Sequence, residues 1–345
     1  MQTSEERADE PDMRALIMGN PVARAFAITG DAWTQLILRE AFYGVRRFSA
    51  WRDQLGAPRS VLADRLQRLT AAGMLETRPV AEGGARLEYR LTAMGLDMFG
   101  VAVMQGQWER KWARSPLQER YALRFYDRQT GDRLEPVVLG YEHGTPAGID
   151  NVVWAVTAPM TPIAPPTSRR RRSQPIETDR PIIDRSTDIM GDYWSWAVLS
   201  AAYFRLRRFD EIHAALGVAT NILADRLSRL VLHGVLERKP YQDAPVRYEY
   251  RLTEAGRDMY PIVLAMHGWS ERWLYPDESP PLRLKSRTTG EILSPVVCDR
   301  STGRAIDPRR VRWEVEREAA PKGGAPDAKR PPPRGCGDGL VSVSM

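Results

Sequence analysis

The sequence predicts a mainly α protein with small β-hairpins, an α+β arrangement in which one helix-rich unit occurs twice in tandem. Three observations carry that prediction. The chain has 345 residues, 43% hydrophobic and 27% charged, a globular composition with room for about two domains. Shifted by 161 residues, 30–112 lies on 191–273 without a gap, with 32 of 83 positions identical. Within each copy, helical apolar stripes are followed by two short alternating segments around a turn, and then by another helical stripe.

The repeat is visible residue by residue. Leu62-Ala63-Asp64-Arg65-Leu66 returns as Leu223-Ala224-Asp225-Arg226-Leu227, and Arg46-Arg47-Phe48 as Arg207-Arg208-Phe209. After a two-residue slip, Thr130-Gly131 and Pro136-Val137-Val138 return as Thr289-Gly290 and Pro295-Val296-Val297. Each copy is therefore a domain followed by a short β-ribbon appendage, at 121–139 and 282–297. The expected layout is a disordered N-terminus at 1–18, copy one at 19–139 and a linker at 140–180. Copy two follows at 181–317, and then a disordered tail at 318–345. The linker is rich in Pro, Thr and Arg, includes Arg169 to Arg172, and reads as chain without a core of its own.

Within copy one, Asp31 is placed to cap a helix that carries Trp33, Leu36, Ile37, Leu38, Ala41 and Phe42,. Arg46-Arg47-Phe48-Ser49 opens a shorter helix with Trp51 and Leu55 inward, and Gly56 ends it,. In the third helix, Leu62, Leu66 and Leu69 fall at i, i+4 and i+7 and make one buried stripe,. Its other face offers Arg59, Ser60, Arg65, Gln67 and Arg68, and Gly73 stops it. Strands near 75–80 and 86–91 are joined by Glu82-Gly83-Gly84, a hairpin signal,. In copy two that tip is Asp243-Ala244-Pro245. Thr92 or Thr253 then caps a long helix with Met98, Trp108 and Trp112, or Met259, Trp269 and Trp273. Three helices, a hairpin and a helix are the order of a winged helix-turn-helix.

Several classes are excluded. No run approaches the ~18 apolar residues of a membrane helix, because 152–166 is broken by prolines, and the acidic start is unlike a secretory signal,. Two cysteines, Cys298 and Cys336, make no disulfide framework, so a reducing cytoplasm is expected. Four scattered histidines are too few for a metal cage. His213 and His233 have no nucleophile partner in a recognisable motif, and Gly83-Gly84 starts no helix that would cradle phosphate,. No enzyme activity, cofactor or metal is expected. The net charge of +6 permits an anionic partner without proving one,.

Gly30-Asp31-Ala32-Trp33, Leu36-Ile37-Leu38-Arg39, Arg46-Arg47-Phe48, Gly73-Met74-Leu75-Glu76 and Glu88-Tyr89-Arg90-Leu91-Thr92 together resemble the HxlR-type helix-turn-helix transcriptional regulators. The resemblance covers both copies, about half the chain. It implies a MarR-like winged helix-turn-helix that binds double-stranded operator DNA, with recognition on the helix at 59–72 and the hairpin as a wing. It also implies one copy per chain and dimeric binding, whereas here two copies share one chain. Redox-sensing members carry a cysteine before a Pro-Val, but Asn20 stands there in copy one, and copy two has Pro181. The ribbon region keeps only Cys298, so the resemblance implies neither thiol sensing nor a zinc ribbon.

The candidate DNA-binding residues follow from this frame. A helix start with small polar and basic side chains fits the major groove, where Arg reads guanine and Asn reads adenine. These are Arg59, Ser60, Val61, Arg65 and Arg68 in copy one, and Thr220, Asn221, Ile222, Arg226 and Arg229 in copy two. Asp64 and Asp225 would repel phosphate and are read as orienting an arginine. Arg46, Arg47, Arg207 and Arg208 open the second helices. Arg86 and Arg247 flank the hairpin tips with Arg78, Arg238 and Lys239, where they would neutralise phosphates,. The blander reading of each is a solvated charge. The paired tryptophans read first as packing within or between copies. An internal pseudo-dimer on an asymmetric operator is the expected function. About 40 residues of flexible chain span roughly 35 Å, close to the ~34–36 Å between half-sites on one DNA face. A further homodimer and an effector ligand are left open, and the rival is a protein-interaction or ligand-sensing module that has lost DNA binding.

Overall fold

The computed structural model describes residues 12–80, 86–112, 121–140, 144–165 and 184–317. Copy one begins with α1 (Met13–Met18), α2 (Pro21–Thr29), α3 (Ala32–Phe42), α4 (Phe48–Leu55) and α5 (Arg59–Ala71). The hairpin β1 (Leu75–Pro79) and β2 (Leu87–Leu91) follows, then α6 (Ala93–Asp97) and α7 (Phe99–Trp112). The β part is β3 (Tyr121–Asp127), β4 (Arg133–Leu134), β5 (Pro136–Gly140), β6 (Thr145–Pro146) and β7 (Val152–Val156). Copy two repeats the plan with α8 (Asp184–Met190), α9 (Tyr193–Tyr203), α10 (Phe209–Leu216), α11 (Thr220–Leu232), β8 (Leu236–Asp243), β9 (Val246–Leu252), α12 (Glu254–Asp258) and α13 (Tyr260–Leu274). Its β part is β10 (Leu282–Ser286), β11 (Ile292–Leu293), β12 (Pro295–Asp299) and β13 (Val311–Arg317).

Local chemistry sets these boundaries. Asn20 accepts the Ala23 N–H at 2.9 Å to start α2, and Asp31 accepts that of Thr34 at 3.2 Å to start α3,. Gly56 and Gly217 end α4 and α10 at φ +60°, where a side chain would be strained,. The long helix expected after each threonine cap is two helices, α6–α7 and α12–α13. In copy two Pro261 lacks the N–H that would continue the ladder, and at the same place in copy one stands Gly100, a weak helix former,. Leu62, Leu66 and Leu69, like Leu223, Leu227 and Leu230, are buried.

Two sequence expectations change. Residues 12–18 are not disordered: α1 buries Ala15, Leu16, Ile17 and Met18 against α9 and α10 of the other copy. An apolar run of that kind orders when a partner surface covers it. The region 140–165 is not a coreless linker either. β6 and β7 lie in it, and Val152 is buried. Val152-x-Trp154-x-Val156 returns as Val311-x-Trp313-x-Val315, so the repeat extends past the ribbons into this region. Arg169 to Arg172, the hairpin tip at 82–84 and the tail at 318–345 lie outside the described residues.

The β parts are exchanged between copies. β3 pairs with β13 of copy two from Tyr121↔Arg317 to Asp127↔Val311, and β10 pairs with β7 of copy one from Leu282↔Val156 to Ser286↔Val152. β5 pairs antiparallel with β12, with Val138 opposite Val297. These two valines are equivalents under the two-residue slip, so a pseudo-two-fold axis passes between them. The expected ribbons β3–β4 and β10–β11 exist, but each is completed by a strand of the other copy.

Helices cross in the same reciprocal way. Trp108 Nε1 donates to Ala255 O at 2.8 Å, and Trp269 Nε1 donates to Met94 O at 2.9 Å. Trp112 Nε1 reaches Asp258 Oδ2 at 2.9 Å, and Trp273 Nε1 reaches Asp97 Oδ2 at 2.7 Å. Lys111 and Arg272 join the same two aspartates at 2.5 and 2.9 Å. Corresponding residues in the two members of each pair are 161 positions apart, each contact returning with the copies swapped, which is the pattern of an isologous interface. One contact breaks the symmetry: Phe26 stacks on Trp196 with ring centroids 4.5 Å apart, whereas the equivalents are Thr187 and Gln35.

Asp299, at the end of β12, anchors the crossing. Its carboxylate accepts from Glu135 N at 2.8 Å, from Thr302 N at 3.0 Å and from the Ser301 and Thr302 hydroxyls. Burial alone would push this carboxyl up, but those hydrogen bonds outweigh it and hold Asp299 below the usual aspartate range,. A depressed folded value stabilises the fold above the unfolded aspartate value and loses that contribution as pH falls through the folded value. The stability difference between wild type and Asp299→Asn is therefore expected to be constant above about pH 5 and to shrink on acidification below about pH 4. Urea titrations at a series of pH values check it, and a difference that widens toward acid would contradict it.

Candidate nucleic-acid interface

α5 and α11 are each held from behind by a leucine stripe, which leaves the opposite face outward. Arg59 and Ser60 are exposed at the start of α5, with Val61 half-buried; Thr220 and Asn221 are exposed at the start of α11, with Ile222 half-buried. Pro58 and Ala219 precede these helices without any side-chain cap. Arg68 is exposed but joined to Asp64 at 3.1 Å, and Arg229 is half-buried.

Arg65 and Arg226 do not belong with the free arginines. Arg65 Nε pairs with Asp31 Oδ1 at 2.9 Å and its Nη1 with Asp64, leaving the side chain 13% exposed. Arg226 pairs with Asp192 and, at 2.5 Å, with Asp225, leaving 12% exposed. The sequence expectation counts both as DNA contacts, whereas here each is held by two carboxylates. Burial alone would lower the Arg65 value, but Asp31 and Asp64 together raise it. The sequence showed Asp31 only as a helix cap, because its second partner lies 34 residues away.

The wings dock on the second helices. Tyr89 N donates to Arg46 O at 2.8 Å, and Tyr250 N donates to Arg207 O at 2.7 Å. This brings Arg46 and Arg47, or Arg207 and Arg208, beside the hairpin. Arg46, Arg47, Arg59 and Arg86 are exposed and have no ion pair among the described residues, as are Arg207 and Arg247. Arg78 pairs with Glu76 at 2.6 Å and Lys239 with Glu237 at 2.7 Å.

Copy two differs chemically. Its Arg208 guanidinium lies 4.5 Å over the Tyr241 ring and 3.8 Å from Glu211, and Arg238 lies 3.5 Å over Tyr248. Asp210 and Glu211 sit in the first turn of α10, where α4 has no acid. Tyr241, at a bulge in β8, and Tyr248 are exposed aromatics that no motif in the sequence marks. Copy one has Val80 and Leu87 in their places. The cationic surface is therefore more open in copy one.

Among the described residues, no helix is long and apolar enough to cross a membrane. The family described as HxlR-like helix-turn-helix matches residues 28–116 and 189–278. The chain is similar to an uncharacterised HTH-type transcriptional regulator of Mycobacterium tuberculosis, 36% identical over 132 residues, which are 38% of this chain and 84% of that protein. An uncharacterised HTH-type regulator of Synechocystis is 37% identical over 93 residues, 27% of this chain and 69% of its own. One of Bacillus subtilis is 33% identical over 97 residues, 28% of this chain and 90% of its own. Alignments that take up most of a relative take up little more than a third of this chain, so these relatives are too short to hold both copies.

Proposed function

The chain belongs to the HxlR-like helix-turn-helix family, and from that premise we propose a DNA-binding transcriptional regulator whose two copies act as an internal pseudo-dimer on an asymmetric operator. The observation that carries the pairing is the reciprocity of its contacts, Trp108 to Ala255 and Trp269 to Met94. The asymmetry rests on the two helix starts, Arg59-Ser60 against Thr220-Asn221. An Arg at such a start suits guanine and an Asn suits adenine, so the two half-sites differ in sequence. The cytoplasm, where DNA is accessible, is the compartment this function requires.

A module that has lost DNA binding is not favoured. Exposed Arg46, Arg47, Arg59 and Arg86, without acidic partners among the described residues, are what phosphate contact requires. The test is selection of bound sequences from random duplex DNA at low and high salt, with the mass of the complex measured. One chain on two unequal half-sites about one helical turn apart is the expected result. Binding that enriches no sequence and fades with salt would reduce the function to charge attraction. Two chains on a symmetric site would replace the internal pseudo-dimer by a homodimer.

A further inference from the structure

The two recognition helices are tied to one point. Asp31 accepts from Thr34 at the start of α3 and from Arg65 Nε of α5 at 2.9 Å. Asp192 repeats this, accepting the Ser195 hydroxyl at 2.7 Å at the start of α9, Arg226 Nε of α11, and Arg226 Nη2 at 3.3 Å. The backbones of Asp31 and Asp192 are themselves bridged antiparallel, each to its own equivalent. Gly191 makes that approach possible: a Cβ there would sit 2.7 Å from the Ala32 Cα. The result is a continuous series from α5 to α11, Arg65–Asp31···Asp192–Arg226, which crosses the pseudo-two-fold axis through a backbone pair.

We propose that Asp31 and Asp192 are positioning residues that set the separation of the two recognition helices, and so the half-site spacing accepted on DNA. The inference rests on the regulator function above. One added base pair moves a half-site by about 3.4 Å and turns it about 35° around the duplex. Helices fixed to one another at a half-buried ionic junction cannot follow that displacement. Helices joined only by apolar packing and loops would follow it at less cost. The arginines are spent on this link and not on phosphate.

The test uses the full chain and duplexes carrying the selected half-sites, with the spacing changed one base pair at a time. Wild type is expected to lose more than about tenfold in affinity for one base pair of change, on the scale of a mismatched base pair. Asp31→Asn keeps a good helix cap but weakens the pull on Arg65. It is expected to lose about twofold or less at the best spacing and to flatten the profile to less than about threefold per base pair. Arg65→Lys with Arg226→Lys keeps charge while losing the planar fork and is expected to flatten it likewise, which carries the test if Asp31→Asn does not fold. Variants that keep the sharp profile, or lose affinity equally at every spacing, overturn the positioning role. Wild type that binds no duplex overturns the regulator function itself and this inference with it.

Discussion

Trp269→Ala is expected to cost about 3–5 kcal/mol of stability, the range for removing a buried aromatic side chain from a packed core. Trp269 is fully buried and its Nε1–H donates to a carbonyl of the other copy. Truncation therefore empties a large volume and leaves the Met94 carbonyl without that donor. Trp108→Ala does the same at the reciprocal site. The shape of the unfolding curve is as informative as the midpoint. If the copies were independent domains on a tether, the loss would appear in one of two transitions. Because β3 needs β13 and β10 needs β7, urea denaturation of wild type is expected to show one transition that shifts as a whole in either variant. Two separable transitions in wild type would contradict the interlocked fold.

Arg59→Ala is expected to weaken operator binding by about 1–3 kcal/mol, roughly 10- to 100-fold, and to relax the preference at one base pair of the copy-one half-site. Arg59 is the basic group at the exposed start of α5 and has no partner among the described residues, so its loss costs contacts to DNA and not to the fold. Arg47→Ala should instead lower affinity uniformly across sequences and reduce the salt slope by about 1, as expected for a phosphate contact. Arg208→Ala, whose guanidinium already lies over Tyr241 and near Glu211, should change both less. Anisotropy titrations on the selected operator and its single-base variants, at several salt concentrations, separate the three. Equal losses for all three arginines would remove the distinction between the copies.

The helices, hairpins and tryptophan faces were legible because they rest on short-range periodicity and on a repeat that can be read by sliding the chain. The leucine stripes of α5 and α11 are of this kind. Strand exchange was not legible, because β3 finds β13 nearly 190 residues away and nothing local in 121–127 names that partner. The return of Val-x-Trp-x-Val was a faint sign of it. Asp31 was read correctly as a cap, but an ion pair between Asp31 and Arg65 depends on how α5 lies across α3, which spacing along one helix does not contain. For the same reason Arg65 looked as available as Arg59.

The stacking of Phe26 on Trp196 has a hereditary consequence. In an assembly of identical chains, any change at the shared surface arrives on both sides at once and must fit itself. Joined in one chain, the halves escape that requirement: one supplies the phenylalanine, the other the tryptophan, while the mirrored position holds Gln35 and Thr187. A half set against a copy of itself would place Phe26 on Gln35, or Thr187 on Trp196, and would have no such stack. What began as a duplication has become a lock and key cut from the same blank, and each half is free to drift in sequence only as far as the other follows.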